Sequence, residues 1–239
     1  MKPWKILDRA IAPGGSELQL VEHDATFAIR VNGLELMSSR SHASEDAMAE
    51  ALVHTQPLPA GARVLIGGLG LGFTLRAVLD VLPDDGEVTV AELSEAVVRW
   101  NRGPLAHLAG SPLEDARASV EECDVRSLLK APARFHGILL DVDNGPRAMV
   151  ARGNRSLYDE AGIAACWSAL RPGGTLVVWS AGPDASFLDR LVRCGFAARA
   201  RTVMTHGDAG RKHVLFIAHR PLGGPAPLPA RKKRGASRR

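Results

Sequence analysis

The chain has 239 residues, of which 46% are hydrophobic and 23% charged, a globular composition that excludes both a wholly disordered chain and a membrane protein. A formal charge of +4 invites a nucleic-acid partner. From Pro221 onward, however, there are six cations (Arg231, Lys232, Lys233, Arg234, Arg238 and Arg239) and no acid, so removing them from +4 leaves −2 on the rest, and only a nonspecific phosphate contact by that tail is expected.

The first forty residues alternate with period two: Leu18 and Leu20, then Phe27, Ile29 and Val31, then Leu34 and Leu36 after Asn32-Gly33. That pattern predicts a small antiparallel β-meander. A helix follows over 44–54, with Ser44 as N-cap and Met48, Ala51 and Leu52 on one face, and Pro57 and Pro59 stop it. From Ala62, strands alternate with helices. Strands are expected at 63–67, 87–92, 118–121, 137–141 and 175–180, a βαβα series that predicts a parallel sheet covered on both faces. Two more strand-like runs, 197–204 and 213–219, suit a hairpin. The expected division is therefore 1–56 for the meander and linking helix, 57–220 for the α/β domain, and 221–239 for a basic disordered tail.

The first strand of the α/β part runs directly into Gly67-Gly68-Leu69-Gly70-Leu71-Gly72 and then a helix over 73–82. Closely spaced glycines there let backbone approach a ligand where a side chain would collide. The spacing is neither GxGxxG nor a P-loop, and it suits a nucleoside better than a pyrophosphate. Glu92 ends the next strand, 20 residues after Gly72, where an acid can accept both ribose hydroxyls. Asp124, after the third strand, is placed to take the exocyclic amine of adenine, or else belongs to a solvated acidic edge with Glu121 and Glu122. Asp141 closes the 135–141 run, and the carboxyl ends of parallel strands are where open sheets bind ligands. A carboxylate there can hold an ammonium and take its proton as the nucleophile forms. Asp143 either joins that site or caps the loop, and Tyr158, the single tyrosine, is either a second catalytic contact or a packing residue.

Cys123, Cys166 and Cys194 match neither a disulfide framework nor a CxxC pair, and the eight histidines show no HxH or HExxH spacing. No metal is expected, and a reducing cytoplasm is the expected setting. Neither a secretory leader nor an apolar run of roughly 20 residues is seen, so no membrane association is expected. Ser180 lies outside any GxSxG elbow, which argues against a hydrolase.

Taken together, the meander, RVLIGGLGLGFTLR at 63–76, Glu92, Asp124, ILLDVDNGP at 138–146, and the segments at 157–159 and 170–174 resemble the spermidine synthase-like branch of the class I S-adenosylmethionine-dependent methyltransferase superfamily. The resemblance covers roughly residues 15–220. It implies an α/β, Rossmann-like, doubly wound seven-stranded sheet with the last strands antiparallel, behind an N-terminal β-meander that makes a homodimer contact. It also implies that Gly68, Gly70, Leu71 and Gly72 lie beside the amino-acid or aminopropyl arm of S-adenosylmethionine or its decarboxylated form. Glu92 is then on ribose, Asp124 near adenine and Asp141 on the acceptor amine, with Glu50 and Asp143 on the acceptor side.

The departures are specific. The family's aspartate in the glycine turn falls at Leu71, its pocket tyrosine at Met48 and the adjacent histidine at Ala49, and its second aspartate is displaced to Asp143. Leucine at 71 no longer repels the carboxylate of the ordinary donor. The expectation is methyl transfer from S-adenosylmethionine to a small amine-type acceptor. Aminopropyl transfer to a polyamine is the alternative, and a noncatalytic nucleoside-binding protein is a second one.

Overall fold

In the computed structural model, residues 3–54, 56–142, 156–206 and 209–223 are described. The period-two segment folds as four antiparallel strands in the order β1-β2-β3-β4: β1 Lys5–Ile11, β2 Glu17–His23, β3 Thr26–Val31 and β4 Leu34–Ser38. The last three match the expected meander. Strand β1 was not expected because its side chains are mostly exposed, which leaves little hydrophobic alternation to read. The hairpin at Asn32-Gly33 has positive φ at both residues, as a two-residue primed turn demands. Register then pairs Leu18 with Val31 and Leu20 with Ile29, and all four are buried.

Helix α1 (Ala43–Val53) starts with His42 at the N-cap position. Ser44 lies inside the helix rather than capping it, and its hydroxyl donates to Glu45 Oε2 at 2.6 Å. Buried Met48, Ala51 and Leu52 lie on the helix, which packs against α2 (Phe73–Val81) and the second sheet.

That sheet contains β5 (Arg63–Gly67), β6 (Glu87–Glu92), β7 (Ala118–Glu122), β8 (Phe135–Leu140), β9 (Leu170–Ser180), β10 (Ala197–His206) and β11 (Ala209–His219). Its order is β10-β11-β9-β8-β5-β6-β7. Strands β5 to β9 pair in parallel, while β11 is antiparallel to both β9 and β10. Helices α3 (Glu95–Arg102), α4 (Val125–Leu128), α5 (Glu160–Ala169) and α6 (Ala185–Arg193) complete the layers. Both faces are buried: Val64 and Ile66 join the core that contains α1, α2 and the meander, and Leu65 joins the core built on Phe135, Phe187 and Phe216.

The chain leaves β5 toward β6 on one side, and β8 pairs with β5 on the other. This reversal of strand order opens a crevice beyond the carboxyl ends of β5 and β8, between Gly68 and Asp141. All six cations of the C-terminal segment lie outside the described residues.

Candidate active site

A cavity of about 180 Å³ occupies this crevice and is roofed by the meander. Its floor is the turn from β5 into α2, where Gly68, Gly70 and Gly72 have φ of 92°, 55° and 85°. A Cβ on Gly68 would stand 2.3 Å from the carbonyl oxygen of Asp141, and one on Gly72 would stand 3.0 Å from Asn101 Oδ1. Part of the glycine requirement is therefore the chain's own close packing, in addition to the ligand approach expected from the sequence reading. Asn101 is a tie that reading did not single out. Buried at 2% exposure, it donates through Nδ2 to the Gly70 carbonyl at 2.9 Å and so fixes the turn to α3.

Glu92 lines the cavity at the end of β6. Its Oε2 accepts from the Leu69 amide at 2.9 Å and its Oε1 from the Ser94 amide at 2.8 Å. The acid thus joins the glycine turn to the start of α3 and holds its carboxylate at a fixed angle. Asp141 follows β8 and also lines the cavity; its Oδ2 accepts from the Thr74 hydroxyl at 2.8 Å. Thr74 is buried in the first turn of α2, whose positive end favours a nearby carboxylate.

Asp124 lines the cavity as the N-cap of α4 and accepts from the Arg126 amide. The Arg126 side chain bonds the same carboxylate and holds its pKa below the usual range. Arg126 itself lines the cavity and reaches the Ser156 hydroxyl. The sequence signal for it was a cation two residues after a capping acid.

The other expected residues are placed differently. Tyr158 does not line the cavity: it is buried, its ring meets Phe187 edge-on at 5.8 Å, and its hydroxyl donates to the Val142 carbonyl at 3.2 Å. Leu71 is buried in the core and Gly72 lies behind the turn, so neither lines the cavity. Glu50 is exposed and faces Arg201 at 3.5 Å, away from the crevice. A carboxylate on that helix face meets the outer strand β10, because the inward positions are taken by buried Met48, Ala51 and Leu52. Asp143 and most of the loop around it lie outside the described residues.

Among the described residues, no group of three His, Cys, Asp or Glu side chains is placed to hold a metal ion, and no helix is long and apolar enough to cross a membrane.

No protein-family model matches the chain, and no curated protein matches it in sequence. Solved structures do match. A spermidine synthase from Thermotoga maritima superposes with TM-score 0.73 at 18% identity, over 92% of this chain and 74% of that one. A spermidine synthase in complex with the transition state analogue AdoDATO gives 0.75 at 19%, over 92% and 75%. A probable spermidine synthase from Corynebacterium glutamicum ATCC 13032 gives 0.66 at 19%, over 90% and 80%. The chain has the fold of these structures: a small antiparallel sheet in front of a seven-stranded, mostly parallel one.

Proposed function

We propose that the chain is a transferase that moves the aminopropyl group of decarboxylated S-adenosylmethionine to an amine. The observation that carries this reading is the charge of the cavity. Three carboxylates, Glu92, Asp124 and Asp141, surround the glycine turn, and the single cation among the described lining residues, Arg126, is already bonded to one of them. Such a site favours a cationic donor without a carboxylate of its own. The likeness of fold to a spermidine synthase in complex with a transition state analogue points the same way.

The residues present fit a nucleoside donor. Glu92 is pre-oriented by two backbone amides, and a carboxylate's several acceptor sites let it receive ribose hydroxyls as well. Gly68 and Gly70 offer bare backbone to the donor's arm. In the reaction the acceptor nitrogen's lone pair attacks the carbon attached to the sulfonium, so an N–C bond forms and the C–S bond breaks. The bonding pair stays on sulfur, and a neutral thioether, methylthioadenosine, leaves. Asp141 holds the acceptor nitrogen and takes its proton, and most of the acceleration comes from alignment of the two reactants.

Methyl transfer from S-adenosylmethionine is the second reading, favoured by Leu71, which supplies no carboxylate for the donor's amine. It carries less weight because the Leu71 side chain is turned into the core, and because among the described residues no unengaged cation lines the cavity to receive a methionine carboxylate.

Calorimetric titration with decarboxylated S-adenosylmethionine, methylthioadenosine, S-adenosylmethionine and S-adenosylhomocysteine separates the two. The first pair is expected to bind more tightly, with Glu92→Ala weakening it by roughly tenfold or more. Preference for the second pair would transfer the assignment to methylation, and binding of none would remove the donor site.

A further inference from the structure

The carboxyl ends of four strands succeed one another across the crevice floor. Their order is β8-β5-β6-β7, and the register sets Leu140 beside Gly67, Gly67 beside Ala91 and Glu92 beside Glu122. Asp141, Gly68, Glu92 and Asp124 therefore follow at about one strand spacing each, roughly 4.8 Å. A donor whose reacting carbon lies at Asp141 and whose ribose lies on Glu92 has crossed two strands. Its base falls over the end of β7, where Cys123, Asp124 and Arg126 line the cavity. On the other side the meander contributes Leu18, Ile29, Val31, Leu36 and Met37. The last two both reach the cavity because Ile29 pairs with Met37 but Arg30 with Glu35, which leaves Leu36 as a one-residue bulge. Such hydrocarbon suits the faces of a base, while its edge needs hydrogen-bonding groups.

Asp124 is already saturated by its neighbour. Its Oδ1 accepts from the Arg126 amide and from Nε at 2.9 Å each, and its Oδ2 accepts from Nε at 3.0 Å and from Nη2. A carboxylate oxygen has two lone pairs, and each of these oxygens carries two contacts. The bonds, those of the side chain foremost, lower the pKa of Asp124 and raise that of Arg126. A neutral amino group donates about half as strongly as a guanidinium, so the exocyclic amine of adenine is a poor competitor for this carboxylate. Arg126 keeps something to offer. Of the five N–H bonds of a guanidinium, two go to Asp124 and one to the Ser156 hydroxyl, which among the described residues leaves one on each terminal nitrogen for a ligand.

We infer that Arg126, and not Asp124, meets the edge of the base, so that the site pairs with acceptors on a purine and does not select its 6-amino group. A guanidinium matches N7 and the 6-oxygen of a 6-oxopurine, whereas adenine offers it N7 beside an N–H donor. The adenine of the proposed donor is then held through N7, and hypoxanthine is held at least as well. The inference rests on the donor-site reading above, and not on which group is transferred.

Calorimetric titration of the full chain with methylthioadenosine and methylthioinosine tests it, because the two differ only at the six-position and the adjoining N1. Wild type is expected to bind the inosine at least as tightly as the adenosine. In Arg126→Ala the Asp124 carboxylate is released to accept the amine, and the affinity ratio should move toward the adenosine by about tenfold or more. The Arg126 side chain is 47% exposed, and surface ion pairs contribute little to stability, so this variant should fold. If it does not, the wild-type ratio alone decides. Tighter binding of methylthioadenosine by wild type would overturn the inference and leave the donor site intact. So would a ratio unmoved by Arg126→Ala, the result for an arginine that only packs or stacks. Binding of neither nucleoside by wild type would remove the donor site and the inference with it.

Discussion

Asp141 is oriented by the hydroxyl of Thr74, a residue that periodicity marks only as the start of a helix. Hydrogen bonds to charged groups contribute about 1.5–3 kcal/mol, so Thr74→Val should lower kcat by at least roughly tenfold. Donor affinity should be unchanged and Thr74→Ser should restore the rate. An equal loss of donor affinity with no rescue by serine would assign Thr74 a packing role. Cysteine chemistry probes the same cavity from the other end. Burial pushes the Cys166 thiol up to about 12 and raises that of Cys194, whereas Cys123 lines the cavity. A thiol reagent at neutral pH should modify Cys123 first, and methylthioadenosine should slow it; unaltered kinetics with the nucleoside bound would place the ligand elsewhere. Glu92 and Asp141 were legible in the sequence because both end apolar strands, and strand ends converge in a parallel sheet. Thr74 and Asn101 were not, since their value comes from partners 67 and 31 residues away in the chain. The fate of Leu71 was equally hidden: it is a buried apolar contact that a motif match reads as a site position, whereas packing was one of the two expectations for Tyr158.

Strand β1 is tied to α3 through one carboxylate. Asp8 Oδ2 accepts from the Trp100 indole at 2.7 Å and from Arg99 at 2.8 Å, and these bonds, Trp100's foremost, bring its pKa down from 3.8 to about 2. Because the folded value is depressed, the stabilisation is fully present above about pH 4 and is lost as pH falls toward 2. Denaturant midpoints of wild type and Asp8→Asn should therefore differ by a constant amount from pH 5 to 7 and converge toward pH 2. A difference that persists undiminished at pH 2 would show that the tie does not depend on the charge. Since α3 begins just after the Glu92–Ser94 bond, loosening β1 should also weaken nucleoside binding. The elements β2 to β11 were largely legible, because alternation and βα spacing follow from burying one or both faces. The exposed edge strand β1 offered no such signal, and the one-residue bulge at Leu36 is invisible to a period-two pattern that tolerates it.

For the molecule as a whole, the basic charge says nothing about the reaction. All six cations beyond Pro221 lie outside the described residues, and the described part of the crevice is acidic around the glycine turn and apolar above it. The layered α/β architecture could be argued from the alternation of strands and helices. The strand order, with β5 and β8 adjacent at the reversal, came with the family resemblance, since nothing local in a sequence states which strands pair across more than 70 residues. The most direct test of the transferase reading is to supply decarboxylated S-adenosylmethionine with a panel of small primary mono- and diamines and quantify methylthioadenosine release by wild type and by Asp141→Asn. Release matched mole for mole by aminopropylated amine, and lowered by roughly a hundredfold or more in the variant with donor binding intact, is the predicted result. Inertness of this donor, with S-adenosylhomocysteine formed from S-adenosylmethionine instead, or release indifferent to Asp141→Asn, would contradict it.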